Sequence, residues 1–434
     1  MNTIVTVKEG QIQGLLSPDG QCAIFRGVPY AQPPIGALRF LRPQPHAPWE
    51  GVRDCTQFGP RCPQADLASM DFYGKEFYDA MVPPESEDCL TLNIWTPAQA
   101  TAESKLPVLF WIHGGAFMHG CSSEKEFDGE GFARDGVILV TVNYRVGAFG
   151  FFSHPDLDRE YPEGVSGNYG ILDQIFALQW VRDNIQTFGG DPEKITIDGQ
   201  SAGCMSVQTI LSSPLTRGMF RGAILQSGGG LYAMKKCPTK EEITQTSQKL
   251  MEHLGISTVE ELRAVPAEQL RDAAYAVQGQ DLSWRPHVDG WLLPAHADAQ
   301  AEAGEIHDIA YMIGSTAKDI GDGLLLQEAG ARWCRNLLKL GRKPGYFYFF
   351  TRNLPGDDAG AFHSCELWYQ FQTMDRCWRP WEPCDRELSR CLSGYWANFV
   401  KTGDPNGEGL PQWKPFTEEC QRPMELGKTV GMLE

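Results

Sequence analysis

The sequence predicts an α/β architecture, with a mostly parallel central sheet flanked by helices in one domain spanning 1–434. Three observations carry this. Short apolar runs of buried-strand type recur at 108–112, 136–142, 222–225, 309–313 and 346–350. Segments of helical period separate several of them, and strands alternating with helices are what parallel pairing requires. Internal repeats, low-complexity tracts and linker-like Ser/Gly runs are absent from the 434 residues, so nothing divides the chain.

In chain order, residues 4–15 alternate like a short hairpin, and a Pro-rich loop follows over 30–49. Strands are expected at 90–95, 108–112 and 136–142. The clearest helix covers 170–187, where Ile171, Ile175, Leu178, Val181 and Ile185 share a face. The alternation Ile195-Thr196-Ile197 leads into Gly199-Gln200-Ser201-Ala202-Gly203. Residues 202–212 then read as a helix, with Met205, Val207, Ile210 and Leu211 as its apolar positions and Pro214 as its stop. After the strand at 222–225, residues 239–280 are helical with a polar outer face and form a candidate cap. The strands at 309–313 and 346–350 and a helix over 388–402 complete the pattern.

Composition narrows the function classes. Hydrophobic residues make up 42% of the chain, enough for a large core, and the formal net charge is −17. That charge argues against a nucleic-acid partner and against attraction to anionic membranes. No window approaches the roughly 20 apolar residues of a membrane span. The first residues carry no basic stretch followed by an apolar run, and 13 cysteines are spread along the chain. The expectation is reduced thiols and a cytoplasmic location; the oligomeric state is left open.

The G-x-S-x-G around Ser201 gains its meaning from its setting. A strand, a sharp turn and a helix expose the serine oxygen at the apex, and the helix N-terminus directs partial positive charge toward it. Ser201 is therefore the candidate nucleophile. Its oxyanion needs donors, and His113-Gly114-Gly115-Ala116-Phe117 follows the 108–112 strand, where small residues leave backbone N–H groups accessible. In hydrolases with this elbow the order is serine, acid, histidine. Of the histidines after Ser201, His363 stands on a loop beyond the 346–350 strand and is the candidate base. The strand at 309–313 runs into a loop that offers both Asp319 and Asp322 as the acid. No Cys/His cluster of zinc spacing is seen, and no metal or organic cofactor is expected.

The chain as a whole resembles the type-B carboxylesterases, the family that includes the cholinesterases. The resemblance is carried by Phe25-Arg26-Gly27-Val28-Pro29-Tyr30-Ala31-Gln32-Pro33-Pro34, by Leu38-Arg39-Phe40 and by Glu87-Asp88-Cys89-Leu90-Thr91-Leu92-Asn93-Ile94-Trp95-Thr96-Pro97. It continues through Asn143-Tyr144-Arg145, Gly167-Asn168, Phe188-Gly189-Gly190-Asp191-Pro192 onward to Gly203, Gln226-Ser227-Gly228 and Gly403-Asp404-Pro405-Asn406. It implies the α/β-hydrolase fold and a serine carboxylic-ester hydrolase acting on small-molecule esters through an acyl-enzyme. The nucleophile falls at Ser201, the base at His363, and the oxyanion donors at Gly115, Ala116 and Ala202. The family's spacing selects Asp319 over Asp322. The resemblance also brings Cys62 and Cys89 to positions where secreted members often form a disulfide.

Three departures stand out. The family usually has Glu followed by Gly where this chain has Asp319 and Ile320. Gln200 replaces the Glu that precedes the serine in cholinesterases, which argues against a choline-ester specialist. The interval from Asp319 to His363 is 44 residues, short for the family, so a reduced cap and gorge are expected, with tolerance of bulky esters. The alternatives are an amidase or thioesterase on the same triad, or a non-catalytic binding member of the fold. The last would typically lose Ser201 or His363, and both are present.

Overall fold

The structure is a computed structural model that describes residues 3–65, 71–78, 82–233, 237–278, 283–321 and 324–433. Asp322 and the last two residues of the candidate cap, 279–280, lie outside them. Strands β1 (Ile4–Val7) and β2 (Gly10–Gln13) form the expected hairpin. After β3 (Leu15–Leu16) and β4 (Cys22–Pro29), β5 (Val52–Asp54) pairs with β2 to complete a small three-stranded sheet.

The large sheet contains β3 and β4, then β6 (Thr91–Pro97), β7 (Leu106–Ile112), β8 (Ile138–Val142) and β9 (Gly190–Gln200). It continues with β10 (Gly222–Gln226), β11 (Ala310–Thr316), β12 (Tyr346–Phe350), β13 (Met424–Leu426) and β14 (Val430–Met432). These 11 strands lie in the order β14-β13-β12-β11-β10-β9-β7-β8-β6-β4-β3. Pairing is parallel from β8 through β13 and antiparallel toward both edges.

The central strands are apolar on both faces because both are covered. In β7, Val108, Phe110 and Ile112 enter one core while Leu109 and Trp111 enter the other. The helices Tyr169–Asn184 and Ala202–Ser212 cover the first face through Ile171, Leu178, Val181, Val207 and Ile210. The helix Pro383–Thr402 covers the second through Leu388, Leu392, Trp396 and Phe399. It starts five residues earlier than its apolar period indicates. Pro383 occupies the first turn, where the Asp385 carboxylate accepts the Glu382 N–H at 2.8 Å and the Asp385 N–H donates to the Glu382 carbonyl at 3.0 Å.

Register decides where the loops meet. Ile112 and Leu225 both pair with Gly199, Gln226 pairs with Gln200 and Gly314, and Gly314 pairs with Tyr348. The carboxyl ends of β7, β9, β10, β11 and β12 therefore reach one level. That is the edge at which open α/β sheets bind ligands.

Among the described residues the candidate cap contains three helices, Lys240–Leu254, Val259–Ala264 and Ala267–Gln278, the first two opened by capping boxes at Thr239/Glu242 and Thr258/Glu261. Leu250, Val259, Leu262 and Leu270 join the first core. Arg39 links the segment to the Pro-rich loop by donating to the carbonyls of Leu262, Arg263 and Val265 while pairing with Glu87 at 2.6 Å.

Candidate active site

Ser201 caps the helix Ala202–Ser212 with φ 58° and ψ −124°, a strained conformation for a residue with a Cβ. The surroundings enforce it. Ser201 N–H donates to the Gln226 carbonyl at 2.9 Å, pinning the turn to β10. A Cβ on Gly203 would stand 2.0 Å from the Ile112 carbonyl oxygen, so only glycine lets the helix approach β7 this closely.

The loop after β7 passes beside Ser201. Gly115, Ala116 and Phe117 have φ of 99°, 54° and 62°, which turns successive backbone groups in a way that strand or helix would not. A Cβ on Gly115 would lie 2.1 Å from the His119 carbonyl oxygen. The N–H groups of Gly115, Ala116 and Ala202 donate to no backbone acceptor among the described residues. Tyr144 explains part of the Asn143-Tyr144-Arg145 motif. Its hydroxyl donates to the His113 carbonyl at 2.9 Å, and its ring stacks on His113 at 4.3 Å. Burial holds the His113 imidazole down at about 3, so it stays neutral under the loop. Arg145 is buried and forked onto Asp173 at 2.7 and 2.8 Å.

Asp319 and His363, 44 residues apart, meet through His363 Nδ1 and Asp319 Oδ1 at 2.5 Å. Thr316 N–H donates to Asp319 Oδ2 at 3.0 Å and Ile320 N–H to Oδ1 at 2.8 Å, which fix the carboxylate's orientation. Burial pushes the Asp319 carboxyl up, but the charge and hydrogen bond of His363 and the Thr316 N–H outweigh it. The group lies below the usual carboxylate range and is ionised at neutral pH. The residue that departs from the family's pattern, Ile320, is 45% exposed and forms an apolar lip of the cleft.

Among the described residues His363 hydrogen-bonds Asp319 and contacts Gln200, not Ser201. Gln200 Nε2 stands 3.2 Å from His363 Nε2. Unliganded sites often complete the nucleophile–base contact only around substrate. Ser201 and His363 nevertheless line one cleft of about 240 Å³, with Gly115, Ala116 and Gln200 on one side and Tyr73, Phe77, Phe127 and Leu367 as apolar walls. None of the described cleft-lining residues comes from the candidate cap, which touches this region where Tyr275 donates to the Met118 carbonyl. The structure thus brings together Ser201, His363, Asp319, Gly115, Ala116 and Ala202.

Sequence reasoning missed Glu366, three residues past the base. It is fully buried, and burial, with the charge of Asp319 beside it, pushes its carboxyl up to about 8. Of two neighbouring carboxyls, Asp319 therefore carries the charge and Glu366 the proton. A loop position outside any periodic pattern offered no signal for it.

Cys62 and Cys89 are both buried and free, with their thiols in hydrogen-bonding contact, so the disulfide that the resemblance implies is not formed here. Glu382, Cys384 and Asp385 bring potential ligand atoms within 4.8 Å of one another. Arg352 already pairs with Glu382 at 2.8 Å and with Asp385 at 2.7 Å, so the cluster reads as a salt-bridged helix start.

A mixed sheet flanked by helices, with a strained serine at the strand-to-helix turn and an Asp–His pair on the next loops, defines a serine hydrolase of the α/β-hydrolase fold. The profile of the Carboxylesterase family matches residues 1–328 and 325–433. The chain belongs to that family and is a serine carboxylic-ester hydrolase. It is 32% identical to a para-nitrobenzyl esterase of Bacillus subtilis over 98% of this chain and 95% of that one. It is 31% identical to a human cocaine esterase over 96% and 87%. Among solved structures, a PNB esterase superposes with a TM-score of 0.87 at 30% identity over 100% of this chain and 97% of its own. A Geobacillus stearothermophilus carboxylesterase gives 0.84 at 31% identity over 99% and 97%. No described helix is long and apolar enough to cross a membrane.

Proposed function

We propose that Ser201, His363 and Asp319 are the catalytic triad and that Gly115, Ala116 and Ala202 form the oxyanion hole. The observation that carries this is the His363–Asp319 bond on the same cleft as the strained Ser201. With Asp319 ionised and accepting Nδ1–H, His363 presents Nε2 as a base. It takes the Ser201 proton as Oγ attacks the ester carbonyl, and the three N–H groups hold the tetrahedral oxyanion. His363 then passes the proton to the departing alkoxide. A water, deprotonated by the same nitrogen, attacks the acyl-serine; the acyl C–Oγ bond then breaks, His363 returns its proton to Ser201 Oγ, and the acid is released.

The substrates in this reading are small to medium carboxylic esters with tolerance of bulky groups. The aromatic cleft walls and the short interval between acid and base support that range. So does the para-nitrobenzyl group in one relative's name. A cytoplasmic site of action belongs to the same proposal, supported by the free Cys62 and Cys89 thiols.

Labelling with an organophosphonate tests the nucleophile. Modification is expected at Ser201, and Ser201→Ala should lower kcat by about 10⁶ with the fold intact. Modification at Ser227 or Ser364 would overturn it. Matched p-nitrophenyl esters, anilides and thioesters should rank with the esters first.

A further inference from the structure

We propose that the catalytic cleft contains a subsite for a protonated primary or secondary amine, built from Glu124 and Glu126, so that the enzyme favours esters carrying an ammonium group. The proposal rests on the reading of this cleft as the ester site.

Both glutamates line the same cleft as Ser201 and His363. They lie on the loop that follows the oxyanion segment, and the loop is anchored. Glu124 Oε1 accepts the Cys121 N–H at 2.8 Å, and Gln64 bonds the Gly120 N–H at 2.7 Å. Glu124 also accepts from the Tyr78 hydroxyl and shares a hydrogen bond with Glu126. Glu126 is 2% exposed, and apart from the hydrogen bond that the two carboxyls share, its Oε2 has no partner among the described residues. A carboxyl pair beside a cleft that is satisfied only by its own shared proton can still accept from a donor arriving in the cleft.

The pairing of two acids sharpens this. In a desolvated cleft two adjacent carboxyls cannot both ionise without a compensating cation. Burial raises both, Glu124 to about 7 and Glu126 well above the usual range, so the empty pair retains a proton. Lys125 draws Glu126 down, but not enough to offset its burial. Burial holds His119, on the same cleft, down at about 4 and so neutral. An incoming ammonium replaces the shared proton, which leaves to solvent, and donates N–H bonds to the two carboxylates. A quaternary ammonium has no N–H to donate, which fits the earlier inference from Gln200 against choline esters.

The test compares, on the full chain, esters that differ only in replacing a terminal methyl group by an ammonium. One arm carries the amine on the alcohol, as ω-aminoalkyl butyrates, and the other on the acyl group, as p-nitrophenyl ω-aminoalkanoates. In one arm, kcat/KM should favour the charged ester by about tenfold to a hundredfold, the range expected for a charge-assisted hydrogen bond. The arm identifies which half of the ester reaches the pair. In Glu126→Gln and Glu124→Gln the ratio should fall toward one. A simple alkylamine should also inhibit neutral-ester hydrolysis by the unmodified enzyme more strongly than the matching alkanol, a comparison that needs no variant to fold. A ratio at or below one in both arms, or a preference that survives both substitutions, would overturn the subsite. Absence of turnover on the neutral esters would instead count against the ester-site reading itself.

Discussion

Replacing Asp319 by Asn tests the electrostatic core of the site with an almost isosteric change. In the structure the carboxylate receives three N–H donors: His363 Nδ1–H and Ile320 N–H at Oδ1, and Thr316 N–H at Oδ2. Asparagine has one oxygen and one NH₂ group to place. If its oxygen faces Thr316, the NH₂ group meets both His363 Nδ1 and the Ile320 N–H; Ile320 is exposed and its N–H can turn to water, while His363 takes the tautomer protonated at Nε2, which cannot accept the serine proton. If its oxygen faces His363, two donors confront each other at Thr316, and a buried N–H loses its acceptor at a cost of about 1–3 kcal/mol. The first arrangement is therefore favoured, and kcat should fall by about 10⁴, equivalent to about 5 kcal/mol of barrier. The assay is hydrolysis of a p-nitrophenyl ester alongside thermal unfolding, which should show a variant that is still folded. A folded Asp319→Asn enzyme within tenfold of the parent kcat would refute the assignment. So would a large loss in Asp322→Asn, a substitution expected to cost little.

His363→Ala should abolish ester hydrolysis while His287→Ala should not, because His287 is buried behind Gly167 rather than on the cleft; a fully active His363→Ala protein would remove the base. Gly203→Ala places a methyl 2.0 Å from the Ile112 carbonyl and should destabilise by more than about 4 kcal/mol, read as a urea midpoint; an unchanged midpoint would mean that the helix can move off β7 freely. Glu366 has a folded-state pKa of about 8 against about 4.3 unfolded, so its stabilising contribution is complete below the lower value and is lost as pH rises to the higher one. Glu366→Gln should therefore gain on the parent protein across that window by roughly 1 kcal/mol per pH unit, measured as the difference in unfolding free energy; a constant difference would mean that Glu366 is already ionised. Reductant should leave activity and the thermal midpoint nearly unchanged, and a large drop with mass spectrometry joining Cys62 to Cys89 would point to an oxidising compartment.

The sequence by itself determined the elements that rest on local chemistry. The strands around 108–112, 195–197 and 346–350 are apolar because both faces of a parallel sheet are covered. The turn at Ser201 is legible because glycine is needed on either side of it. The pairing of Asp319 with His363 is a different kind of fact. The residues alone left Asp319 and Asp322 open, and only family spacing separated them. The two side chains are 44 residues apart and meet because parallel register brings the ends of β11 and β12 level, a long-range outcome that no local pattern encodes. The same holds for groups with no periodicity to reveal them. Tyr144 under the oxyanion loop, Glu366 beside Asp319, and the Glu124–Glu126 pair in the cleft acquire their meaning from burial. Desolvation decides which carboxyl carries charge, and desolvation exists only once the chain has folded.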